Sequence, residues 1–92
     1  MKIIIDFIKL SDKLNLIEKS EELPCGIEKI WDLLENTSDE GHLIDNKNGI
    51  DPVKKLTIDM DAIREKTYYY TGLKKKQREY LIELLLKYKI GG

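Results

Sequence analysis

The chain has 92 residues, and 16 basic side chains nearly balance 17 acidic ones, giving a formal net charge of −1. A chain this short buries only about 60–65% of its unfolded surface, so it holds one modest core and no deep cleft. The charge balance argues against a dedicated nucleic-acid domain, which usually carries a clear basic excess. Cys25 is the only cysteine, which excludes an internal disulfide and predicts a reducing, cytoplasmic location. Neither a signal peptide nor a membrane span is predicted.

The first half of the chain predicts two strands and a helix. Residues 2–9 are rich in β-branched and aromatic side chains and predict a strand. A weaker strand is predicted within residues 14–23, where the Pro24-Cys25-Gly26 sequence ends it. Residues 27–36 predict a helix, because one face of it would carry the apolar side chains Ile27, Ile30, Trp31 and Leu34. We expect Trp31 to be a main anchor of the core.

The second half of the chain begins with a polar, turn-rich stretch, residues 39–52, which predicts a long loop. Residues 56–60 alternate with a period of two and predict a strand. Residues 68–71 have strong strand propensity and are followed by Gly72.

The last apolar segment, residues 80–90, fits two interpretations. A period of two places Tyr80, Ile82, Leu84 and Leu86 on one face, whereas a period of 3.6 aligns Leu81, Leu84, Leu85 and Tyr88. Periodicity does not decide between them, and the composition favours a helix. We nevertheless expect residues 80–86 to form a strand, because tertiary pairing often overrides intrinsic propensity.

The sequence contains few candidate catalytic or metal-binding residues. His42 has no cysteine or second histidine at ligand spacing, so we interpret it as a surface residue, and no metal site is predicted. Residues 45–49 resemble a calcium loop only superficially and predict a plain turn. Cys25 has no histidine placed to assist it, which favours a structural cysteine over a nucleophile. Asp59 and Asp61 are spaced for one strand face, where most such pairs face solvent. The chain is not predicted to be an enzyme.

Two further features leave alternatives open. Lys74, Lys75, Lys76 and Arg78 form the one dense basic run, and a solvated turn explains it at least as well as a phosphate contact. Gly91-Gly92 ends the sequence. The doublet is either a loose terminus or a thin tail, residues 88–92, that enters a narrow channel which any Cβ would block.

In element order, the sequence resembles the ubiquitin-like sulfur carriers of the MoaD and ThiS type. Residues 1–7 match the opening strand of that family, and residues 22–34 look like its proline–glycine approach to a helix ending in Asp-Leu-Leu. Residues 56–61 lie where the family places its middle strand. Thr71-Gly72-Leu73 is similar to the Gly-Leu step before its last strand, and Gly91-Gly92 follows at the family's spacing.

This resemblance implies an α+β chain with the β-grasp (ubiquitin-like) fold, a mixed sheet packed on one main helix. Residues 1–92 would form one domain with a flexible tail, residues 88–92. Gly92 would bear the acyl-adenylate and then the thiocarboxylate, and Gly91 would provide clearance. The implied partners are a MoeB- or ThiF-like adenylating enzyme, which uses ATP and a sulfur donor, and a downstream synthase or conjugation target. No bound cofactor, nucleic acid or membrane partner is implied, and the pathway stays open.

A second hypothesis belongs to another class of function. The charge-dense surface and the helix-prone end of the chain suit a small regulatory or inhibitor protein, phage-like in type, that acts by protein–protein binding. The two hypotheses differ in secondary structure. A mostly helical chain favours the binding protein, and mixed strands with one or two helices favour the carrier.

Overall fold

A computed structural model describes residues 1–20, 23, 25–39 and 54–92. This part of the chain is an α+β domain with four helices and a three-stranded antiparallel sheet. The elements are, in order, β1 (Lys2–Asp6), α1 (Phe7–Ser20), α2 (Ile27–Thr37), β2 (Lys55–Asp59), α3 (Met60–Thr71), α4 (Lys75–Lys87) and β3 (Lys89–Gly91). None of the described helices is both long and apolar enough to cross a bilayer.

Strand β1 lies at the centre of the sheet, between β2 and β3. Its register with β2 places Ile3 opposite Ile58 and Ile5 opposite Leu56. All four side chains are fully buried. Because side chains alternate between the two faces of a strand, these residues give the sheet one apolar face, which is the sheet's contribution to the core.

The chain leaves β1 and enters α1 without a loop. The Asp6 carboxylate accepts a hydrogen bond from the backbone N–H of Lys9 at 3.2 Å, the interaction that an N-cap residue makes. From there the buried side chains follow a helical period, at Leu10, Leu14 and Ile17. The predicted first strand therefore ends at Asp6, and the prediction of a second strand within residues 14–23 is wrong.

Helix α2 and strand β2 confirm their predictions, and α2 packs most extensively against α3. Tyr68 to Thr71, predicted as a strand, are instead the last residues of α3. The predicted loop, apart from Asp39, lies outside the described residues, as do His42 and residues 45–49.

The prediction of a strand over residues 80–86 is also wrong, because α4 spans them. Its buried side chains, Leu81, Leu84 and Leu85, follow at i, i+3 and i+4. The residues that repeat with a period of 3.6 are therefore the ones that pack in the core. The β-grasp arrangement is not confirmed. The described residues form an antiparallel sheet with four helices, where the resemblance implies a mixed sheet on one main helix.

Candidate functional site

The end of the chain is part of the sheet. Strand β3 pairs antiparallel with β1, with Gly91 opposite Ile4. The backbone N–H of Asp6 also donates to the carbonyl oxygen of Tyr88 at 2.8 Å. The flexible tail expected over residues 88–92 is thus a hydrogen-bonded segment whose strand covers residues 89–91. Pairing satisfies backbone groups along an edge of β1 that is otherwise open to solvent.

Gly92 leaves no room for a side chain. A Cβ built on Gly92 would lie 2.8 Å from the Cα of Ile3 and 2.8 Å from the carbonyl oxygen of Lys2, and its φ is +105°. Both the positive φ and the close approach require glycine. A Cβ on Gly91 would lie 3.5 Å from Cδ1 of Ile4, an ordinary contact. The fold itself therefore accounts for glycine at position 92 and leaves room for a methyl group at position 91.

A rigid turn joins α3 to α4. Gly72 ends α3 in the left-handed conformation with φ +67°, and its N–H donates to the carbonyl oxygen of Tyr68 at 2.8 Å. The N–H of Leu73 donates to the hydroxyl of Thr71 at 3.3 Å, and the Leu73 side chain is buried. A left-handed glycine after a helix is a common helix end. The buried leucine fixes the direction in which α4 starts.

Two large aromatic side chains lie in solvent beside this turn. Tyr68 is 64% exposed and Tyr69 is 81% exposed. The guanidinium carbon of Arg78 lies 5.3 Å from the centre of the Tyr68 ring, and its Nη1 donates to the carbonyl oxygen of Leu73 at 2.8 Å. Tyr69 contacts the edge of Tyr70, with ring centres 5.1 Å apart. Tyr68 and Tyr69, the tyrosine surface, are thus held in place while most of their area faces water.

The basic run seen in the sequence is the start of α4. Lys74, Lys75 and Lys76 are exposed, and within the described part of the chain none of them forms an ion pair. Gln77 Oε1 accepts from the N–H of Lys74 at 3.1 Å. Arg78 is anchored to the turn as described above. Lys74–Lys76 and Arg78, the basic turn, therefore gather four cationic side chains at one helix N-terminus.

Asp59 and Asp61 have structural contacts. Asp59 caps α3, with its Oδ1 accepting from the N–H of Asp61 at 3.0 Å and of Ala62 at 3.4 Å. The amino group of Met1 lies 2.8 Å from Oδ2 of Asp61 and 3.9 Å from Oδ1 of Asp59. That hydrogen bond is the main reason why the pKa of the Met1 amino group is raised and the pKa of Asp61 is lowered. These contacts give both carboxylates a structural role.

Cys25 is half-buried beside a shallow apolar depression that is lined by Leu14, Ile17, Leu23, Ile27 and Ile30. Burial raises the pKa of the Cys25 thiol, against a smaller opposing effect of Lys29. A raised pKa keeps the thiol protonated at neutral pH, which fits the structural interpretation. Among the described residues no group of three or more His, Cys, Asp or Glu side chains is placed to hold a metal ion.

Comparison with known proteins identifies no relative. No family model, no curated protein and no solved structure matches this chain.

Proposed function

We propose that this chain is a small non-enzymatic regulatory or inhibitor protein that acts by protein–protein binding through the tyrosine surface. The observation that carries the proposal is the exposure of Tyr68 and Tyr69, 64% and 81%, on a helix that is fixed by a capped turn. Tyrosine is enriched at interfaces and among the residues that dominate binding energy. Side chains already held in place lose little conformational entropy on binding.

The secondary structure also favours the binding hypothesis over the sulfur-carrier hypothesis. The binding hypothesis expects a mostly helical chain with a helix-prone final segment, and α4 covers most of that segment before the short strand β3. The sulfur-carrier hypothesis expects a strand over residues 80–86 and a free tail after it. The lack of room for a Cβ atom on Gly92, beside the backbone of Lys2 and Ile3, gives the last glycine a role within the fold.

Site-specific photo-crosslinking in the native cell tests this proposal. We expect a photoreactive phenylalanine analogue at position 69 to give a discrete adduct that is lost when Tyr68→Ala is added. The same analogue at Leu16, which is 62% exposed on α1, is the matched control and is expected to give no such adduct. Equal adducts from both positions, or none from position 69, would count against the tyrosine surface.

The sulfur-carrier function is the second candidate, and the peripheral position of β3 favours it. This strand has three residues and occupies the sheet edge, and Lys89 and Ile90 are exposed. Separating β3 from β1 would therefore expose little additional apolar surface. In this proposal the Gly92 carboxylate attacks the α-phosphorus of ATP on a cytoplasmic MoeB- or ThiF-like enzyme and releases pyrophosphate. Sulfide-level sulfur (HS⁻ or its equivalent) from a donor then attacks the acyl carbon and displaces AMP to give the thiocarboxylate, which a synthase or conjugation target consumes. Gly91 provides clearance in the partner's channel.

ATP–pyrophosphate exchange with candidate adenylating enzymes tests the carrier. We expect a carrier to support exchange and to lose it on deletion of Gly92. Gly26→Ala is the control, because a Cβ at Gly26 meets nothing within 4 Å, and it should leave exchange intact. A chain that supports no exchange with any such enzyme, or whose Gly92 deletion is activated as well as the parent, is not a carrier.

A further inference from the structure

The first turn of α4 lies at the surface of the protein. The helix begins at Lys75, and its first fully buried residue is Leu81. The six residues before Leu81 span about 9 Å at ~1.5 Å per residue. Tyr80, the last of them, packs against the core, whereas Lys75 and Lys76 are exposed. These lysine side chains are therefore accessible to a partner.

The connection between α3 and α4 has the length and the glycine of a helix–turn–helix connection. The two helices are joined by three residues that include Gly72 in the left-handed conformation. Buried side chains lie on both helices and on the turn, namely Thr67, Thr71, Leu73 and Leu81. Two helices joined by a turn of three or four residues, often with glycine, are the unit that places a second helix in the major groove of DNA.

The charge of this end opposes folding. The N-terminus of a helix carries a partial positive charge, so cationic side chains are unfavourable there. Four of them lie in the basic turn, and the three lysines have no ion-pair partner among the described residues. Lysines that cost stability at a helix end, with no ion pair to compensate among the described residues, are typical of a functional site. The overall net charge of −1 conceals this concentration, because it averages over the whole chain.

We propose that the basic turn binds double-stranded DNA, with the N-terminal end of α4 in the major groove. This activity goes beyond the proposed protein–protein function and uses different side chains. The major groove is about 12 Å wide and admits one helix. Duplex DNA carries one negative charge per ~1.7 Å of axis, a density that complements four clustered cations.

The contacts also indicate how the duplex is held. Arg78 is engaged by Tyr68 and by the carbonyl oxygen of Leu73, and Gln77 Oε1 by the N–H of Lys74. These two side chains therefore position the helix end, and the three lysines reach the phosphates. Phosphate contacts carry no sequence information directly. Binding is accordingly expected to depend strongly on salt and weakly on base sequence.

Fluorescence anisotropy with the full chain and a labelled duplex of mixed sequence, about 20 base pairs or roughly two helical turns long, tests the proposal. We expect binding at low salt, with affinity falling roughly 40-fold between about 50 and 200 mM salt if the three lysines neutralise three phosphates. The triple variant Lys74→Gln, Lys75→Gln, Lys76→Gln should lose at least about tenfold in affinity at low salt. Glutamine keeps helix propensity close to that of lysine, and a thermal melt checks that the variant is folded.

The matched control removes the same charge from other elements, with Lys9→Gln, Lys29→Gln and Lys55→Gln on α1, α2 and β2, and should change affinity less than about threefold. Equal losses in the two triple variants would overturn the proposal, because net charge alone would then explain the binding. So would the absence of duplex binding at low salt. Tighter binding of polyglutamate or of a single strand than of the duplex would also overturn it, the former in favour of an acidic protein partner.

Discussion

A Cβ atom on Gly92 would lie 2.8 Å from the Cα of Ile3, closer than such atoms approach in folded proteins. The chain end therefore packs against the backbone of the central strand. Pairing of β3 also covers an edge of β1, whose other edge is covered by β2. From the sequence, the terminal glycine is expected to lie in a flexible tail that enters a channel of a partner enzyme. In the structure it instead lies close to the backbone of β1.

The two terminal glycines should respond differently to alanine. We expect Gly92→Ala to destabilise the protein by about 1 kcal/mol, because alanine is strained at positive φ and meets backbone atoms. In a domain of this size that lowers Tm by roughly 4–8 °C. Gly91→Ala is the control and should leave Tm unchanged or slightly raised, since its methyl group has room. Equal melts for both variants and the parent would indicate that the chain end is free in solution.

Trp31 connects α2 to α1 by stacking on Phe7, with ring centres 5.2 Å apart and an interplanar angle of 6°. Trp31 is only half-buried, so we expect Trp31→Ala to cost about 2–3 kcal/mol, at or below the low end of the range for fully buried aromatics. Trp31→Phe retains a stacked ring and should cost less than about 1.5 kcal/mol. Chemical denaturation of the three proteins measures both values, and a Trp31→Ala variant as stable as the parent would contradict a role for this ring in the core.

Asp59 caps α3 through hydrogen bonds to the N–H groups of Asp61 and Ala62. We expect Asp59→Ala to lower the free energy of unfolding by about 0.5–2 kcal/mol, the usual cost of losing an N-cap. Asp59→Asn keeps an accepting oxygen and should recover most of that loss. Denaturation midpoints compare the two, and an asparagine variant as unstable as the alanine variant would mean that the charge, through Met1, matters more than the cap.

The ion pair of Asp61 with the Met1 amino group predicts a specific pH dependence. The pKa of Asp61 is lowered from 3.8, so its contribution to stability is complete above that value and is lost as pH falls through the folded pKa. The pKa of the amino group is raised from 8.0, so its contribution is complete below that value and is lost as pH rises through the folded pKa. The stabilisation should therefore be greatest between about pH 4 and pH 8.

Thermal melts of Asp61→Asn from about pH 2 to about pH 10, a range that extends beyond both ordinary pKa values, test the pair. The Tm difference from the parent should be largest between about pH 4 and pH 8, shrink towards both ends of the wider range, and shrink further in high salt because both groups are exposed. Glu65→Gln, an exposed position on the same helix, should give a difference that does not rise and fall in this way. A constant difference for Asp61→Asn across the range would show that the pair does not form in solution.

Local sequence determined α2 and β2. In α2 the apolar residues repeat with one unambiguous period and bury Ile30, Leu33 and Leu34. In β2 the alternation of Leu56 and Ile58 with polar residues admits only a strand with one buried face. The basic run was also visible in the sequence, but its place at the exposed start of α4 depends on which residues of that helix are buried.

Tertiary structure decided α1, α4 and the chain end. Apolar residues in 80–90 satisfy periods of two and of 3.6, so local pattern leaves the segment undetermined. The choice came from packing, because the helix buries Leu81, Leu84 and Leu85 together. Likewise, nothing within Gly91-Gly92 specifies a partner. Pairing with β1, more than eighty residues earlier in the chain, made Lys89–Gly91 the last strand of the sheet and placed Gly92 close to the backbone of Ile3.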